Sequence, residues 1–139
     1  MLTKKCFTLW TYIVILVGSI FLTACRGGGG EPVTTLDVDM IDYKFTPDKL
    51  TVPAGEEITI KLRNSGIHLH EFQILVFGAE VDDSVDKDGN STKYWSAMIS
   101  PGESKSLSFV APSKPGKYVI KCSAPGHIQA GMVGTLWVK

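Results

Sequence analysis

The sequence predicts an all-β sandwich, and three observations carry that prediction. Apolar and polar residues alternate over short runs, Pro and Gly clusters break those runs, and helical periodicity is missing. Outside an apolar stretch at the N-terminus, no segment holds helical periodicity over three turns. Leu36, Val38 and Met40 alternate with Asp37 and Asp39 in the first run. Leu50 to Val52 forms a brief second run that stops at the turn Pro53-Ala54-Gly55. Ile58, Ile60 and Leu62 alternate next, closed by Asn64-Ser65-Gly66, and Glu71 to Phe77 is β-rich. Ser104 to Val110 follows the turn Pro101-Gly102-Glu103 and alternates through Leu107 and Phe109. Tyr118 to Cys122 follows Lys114-Pro115-Gly116, and Gly134 to Val138 reads as the last strand.

Val81 to Ala97 breaks the pattern. It is polar, with Asp82, Asp83, Asp86 and Asp88 ahead of Gly89-Asn90, and is expected to be a solvated loop with at most one helical turn. A calcium loop fails on register. Placing Gly89 at the sixth position puts Trp95 at the twelfth, where a carboxylate is required. Docking of a basic partner is the other use such a segment allows. Asn90-Ser91-Thr92 matches a glycosylation sequon, a motif with little meaning by itself.

The N-terminus reads as a leader. Lys4 and Lys5 precede an apolar run from Phe7 to Phe21, and Leu22-Thr23-Ala24-Cys25 follows as a lipobox. The run is close to the ~20 residues that span a bilayer, so an uncleaved anchor is the alternative. The small residues before Cys25 and the glycines after it favour cleavage. The expected division is a lipoprotein signal peptide over residues 1–24, a lipidated Cys25 with a Gly-rich linker over 25–34, and the sandwich domain over 35–139. Two or more acyl chains anchor stably where one does not, since each buried methylene contributes ~0.8 kcal/mol. The mature chain of about 115 residues suffices for one domain with one core.

Charge and cysteines narrow the function. Beyond the leader there are 12 Lys and Arg against 14 Asp and Glu, which excludes a nucleic-acid footprint. Cys6 leaves with the leader and Cys25 becomes a thioether, so Cys122 has no disulfide partner. A lone thiol outside the cytoplasm is either a buried core residue or a metal ligand. The residues after it decide for a ligand. Cys122, His127 and Met132 form Cys-x4-His-x4-Met, with His70 upstream. One thiolate, two imidazoles and a weak axial thioether make up the ligand set of a blue-copper electron-transfer site.

On these residues the chain resembles the cupredoxins of the plastocyanin/azurin family from about Leu36 to Lys139. Cys122-Ser123-Ala124-Pro125-Gly126-His127 is similar to the azurin loop, and Gly131-Met132-Val133-Gly134 to the plastocyanin ending. With the lipobox and glycine tether, it is similar to the membrane-tethered, auracyanin-like members. The resemblance implies a Greek-key β-sandwich with one type 1 copper at one end, held by His70, Cys122, His127 and Met132. It selects His70 over His68, because Glu71-Phe72 follows as the family pattern requires, and leaves His68 an exposed neighbour. Two departures stand out. Glu71 occupies the position of a common Asn that ties the ligand loops together, and a carboxylate turned inward there would stabilise Cu(II). Leu69 replaces the azurin glycine, so no fifth carbonyl contact is expected.

The implied function is a one-electron shuttle between redox protein partners, a monomer held to the membrane on its extracytoplasmic side. His127 would be the electron port in an apolar patch of Ile128, Ala130, Gly131 and Ile67. The second nitrogen of His70 would donate to a backbone carbonyl or Glu71. No enzymatic activity is expected, because protein fills every copper position. The alternatives are an extracytoplasmic copper carrier or storage protein, which would use Met and His clusters that this chain lacks, and a metal-free binding sandwich.

Overall fold

A computed structural model describes residues 30–81 and 92–139. Residues 1–24, read above as a signal peptide, Cys25 with the linker as far as residue 29, and the acidic stretch Asp82 to Asp88 lie outside the described residues. Among the described residues the chain forms nine strands: β1 (Thr35–Ile41), β2 (Lys44–Thr46), β3 (Lys49–Val52), β4 (Glu57–Asn64), β5 (His70–Leu75), β6 (Lys93–Ile99), β7 (Ser104–Val110), β8 (Gly116–Lys121) and β9 (Val133–Val138). One sheet has the order β2-β1-β4-β7 and the other β3-β9-β8-β5-β6. The parallel pairs β1·β4 and β3·β9 require crossovers between the sheets, which is Greek-key sandwich topology.

Alternation builds the core. Successive side chains of a strand point to opposite faces. In β1 this turns Leu36, Val38 and Met40 inward, and in β4 Ile58, Ile60, Leu62 and Asn64. Full burial of such an apolar side chain contributes roughly 1.5–3 kcal/mol. Phe45 packs edge-to-face on Phe72 at 5.3 Å, and Trp95 stacks on Phe109 at 4.9 Å across the sandwich.

Two strands were not expected from the sequence. β2 has three residues and turns only Phe45 inward, too short a run to show a period. β6 begins at Lys93, inside the segment read as a loop to Ala97. It is an edge strand with mostly partial burial, so its alternation is faint. Its place is fixed by Trp95 and Ala97 packing on the core, a tertiary contact with no local signature.

Two inward rows lead to one end of the sandwich. In β5, His70, Phe72 and Ile74 share the core face, and His70 is the first residue of the strand. In β8, Tyr118 and Ile120 are buried, and Cys122 continues their row one step past the strand end. β5 and β8 are antiparallel neighbours, with Ile74 opposite Ile120. The same pleat that fills the core therefore brings His70 and Cys122 to its edge.

Candidate metal centre

His70, Cys122 and His127 converge at that edge. The Cys122 Sγ lies 3.4 Å from His127 Nδ1 and 3.9 Å from His70 Nδ1. The ligand atoms of all three residues lie within 4.8 Å of one another, and all three side chains are buried. Cys122 is a free thiol. Met132, the fourth expected ligand, is fully buried as well.

Cys122 to Met132 is a compact loop closed by its own backbone. Cys122 N–H donates to Met132 O at 3.1 Å, and Met132 N–H donates to His127 O at 2.8 Å. His127 N–H donates to Ala124 O and Ala130 N–H to Gly126 O, both at 3.1 Å. Gly126 (φ 82) and Gly131 (φ 97) immediately precede His127 and Met132. Each reversal turns the next side chain inward, in a conformation that only glycine adopts without cost.

His70 is held by a different device. Asn64 ends the inward row of β4 and is buried. Its Nδ2 donates to His68 O at 2.8 Å and Ile99 O at 2.9 Å, and its Oδ1 accepts from Gly66 N–H at 2.9 Å. One amide thus ties the turn before His70 to β6. Asp42 caps the same turn from the β1–β2 connection, accepting from Ile67 N–H at 3.1 Å and His68 N–H at 3.3 Å. His70 Nε2 faces Asp42 Oδ1 at 3.3 Å. The partner of the second His70 nitrogen is therefore Asp42, neither a backbone carbonyl nor Glu71 as the sequence suggested.

Glu71 has another task. Its N–H donates to Cys122 Sγ at 3.4 Å, and its carboxylate accepts from Ser123 Oγ. These bonds link the His70 strand to the Cys122 loop.

Burial dominates the electrostatics. It pushes the Cys122 thiol up, against N–H donors from Glu71 and Ala124 that favour the thiolate. It pushes His70 down despite the Asp42 carboxylate, and it pushes His127 down together with the neighbouring His70 and His68. Burial raises Asp42, but the backbone donors Ile67 and His68 and the two imidazoles outweigh it and leave the carboxyl below its usual value. Burial thus favours neutral imidazoles and a protonated thiol, so metal binding works against the raised thiol by displacing its proton.

The surface above is aromatic and apolar. His127 is 7 % exposed, and Tyr43 lies edge-on to it at 5.1 Å and His68 at 6.0 Å. Ile67 is 77 % exposed, Leu69 and Tyr43 are also exposed, and Ile128 is half-buried. Sequence reasoning missed Asp42, Asn64 and Tyr43. Asp42-Tyr43 is a two-residue turn with Tyr43 at φ 66, and with β2 unrecognised nothing in the sequence marked it.

A soft thiolate with two imidazoles suits copper, and the donors present fit that ion. Residues 32–139 match the model of copper-binding proteins of the plastocyanin/azurin family. The chain belongs to that family, its fold is the cupredoxin sandwich, and its cofactor is copper in a single type 1 centre. It is 28% identical to auracyanin-B of Chloroflexus aurantiacus over 80% of this chain. That alignment spans only 57% of auracyanin-B. It is 30% identical to the copper-resistant cuproprotein CopI of Pseudomonas aeruginosa, covering 76% of each. Dithionite-reduced auracyanin from the photosynthetic bacterium Roseiflexus castenholzii superimposes with a TM-score of 0.66 at 26% identity, over 78% of this chain and 99% of that one.

Proposed function

We propose that this chain is a membrane-anchored single-electron carrier, with copper held by His70, Cys122, His127 and Met132. The observation that carries the reading is the convergence of one thiol and two imidazole nitrogens from two separately anchored segments. Bound there, copper exchanges one electron between Cu(I) and Cu(II). The protein supplies a site that changes little between the two states. The glycine-turned loop holds three donors, β5 and Asn64 hold the fourth, and Glu71 with Ser123 binds the two sides together. His127 carries the electron to the surface between Tyr43, His68 and the exposed Ile67. Such a small apolar contact suits brief encounters with redox protein partners. Four protein donors leave no position for a substrate, so the chain is not an enzyme. Lipidation at Cys25 after removal of residues 1–24 places the domain outside the cytoplasm, on a tether of residues 25–34.

The similarity to CopI favours a second reading, in which the site stores or delivers copper. Retention separates the two. The copper-loaded protein is cycled between ascorbate and an oxidant beside a Cu(I) chelator. A carrier of electrons keeps its copper through many cycles, whereas loss to the chelator on the first reduction would favour delivery.

A further inference from the structure

We propose that Asp42 is an anionic positioning residue for His70, fixing the ring's tautomer and biasing the site toward the oxidised metal. The inference rests on the copper reading given above and deepens it. His70 is fully buried and has one polar neighbour at each nitrogen: Cys122 Sγ at 3.9 Å from Nδ1 and Asp42 Oδ1 at 3.3 Å from Nε2. A carboxylate only accepts, so Nε2 carries the proton and Nδ1 keeps its lone pair toward the thiol.

Asp42 is itself locked in place. Its Oδ1 accepts from the N–H groups of Ile67 and His68, and its Oδ2 accepts from Ile67 N–H at 3.3 Å. Gly66 is a second, independent observation. A Cβ at that position would collide with Asp42 Oδ1 and stand 3.0 Å from the Asp42 backbone nitrogen. A side chain is thus missing where the carboxylate closes on the turn.

The consequence is electrostatic. A backbone carbonyl would orient the ring equally well but carries no net charge. A carboxylate adds a full negative charge beside the ligand and makes the imidazole a stronger donor. Cu(II) gains more from that than Cu(I). Asp42 is 27% exposed, so water screens part of the effect.

The test uses the full chain loaded with copper, as wild type and Asp42→Asn. Asparagine keeps an oxygen for the three N–H donors and removes the charge. The variant is expected to lose about tenfold in Cu(II) affinity relative to Cu(I), a rise of about 59 mV in reduction potential for one electron. An unchanged or lowered potential would overturn the proposal. A measurement on the wild type decides should the variant not fold. Nitrogen-15 spectra of the metal-free full chain, where no copper fixes the ring, should give His70 as the Nε2–H tautomer, and a proton on Nδ1 would overturn the proposal. A wild type without an intense blue band would sink the copper reading first, and the proposal with it. That failure is distinct because it precedes any variant.

Discussion

The two sides of the site are built by opposite means. Cys122, His127 and Met132 sit within one loop, closed by hydrogen bonds between near neighbours and turned by Gly126 and Gly131. His70 depends on distant chain: Asn64 reaches Ile99, 35 residues away, and Asp42 reaches His70 across 28. Local structure can gather residues cheaply, but it frays as one unit. A histidine pinned from elsewhere keeps Cys122 and His127 from rearranging alone.

The comparison predicts that damage to the loop removes the chemistry, while damage to the His70 side removes stability. The largest effect belongs to Cys122→Ser. It should abolish the visible band and weaken copper binding more than the ~10–100-fold that loss of an outer partner costs, as read by absorption and competitive dialysis. Asn64→Ala comes next. It leaves His68 O, Ile99 O and Gly66 N–H without their partner, a cost of about 2–3 kcal/mol. Calorimetry of the metal-free protein should show a Tm lower by roughly 10 °C. Equal losses of stability in Asn64→Ala and Cys122→Ser would break the comparison.

Gly131→Ala should be milder. A side chain at φ 97 costs about 1–2 kcal/mol, and the strain falls on the residue before Met132. Copper dissociation, followed with a chelator, should quicken while chemical denaturation shifts only modestly.

The smallest effect is with pH. His70 and His127 are held below the ordinary histidine value when folded, chiefly by burial. The unfolded chain therefore binds protons first as the solution is acidified. Stability of the metal-free protein should fall from about pH 6.5 downward, until the folded histidines titrate as well. Urea titrations across that range should show the decline, and copper should suppress it by occupying both imidazoles.

The same division explains what was legible in the sequence. The pairing of Cys122 with His127 could be read because the two are near in sequence, so the Cys-x4-His spacing is itself the geometry. The long strands could be read because burial alternates along β1 and β4. β6 could not, because Trp95 is placed by Phe72 and Phe109 from other strands. Asn64 looked like the opening of a turn, and its three bonds need Ile99 and His68 in position first. Asp42 was missed for the same reason. Nothing local to a two-residue turn says that a buried histidine lies against it.

The central claim is that Cys122 and the imidazoles of His70 and His127 form one copper site. The most direct test is a visible absorption spectrum of the protein with Cu(II), then with ascorbate, then reoxidised. An intense blue band at one copper per chain that bleaches and returns is the predicted result. A faint band or none, with Cys122 still reactive toward thiol reagents, would contradict it.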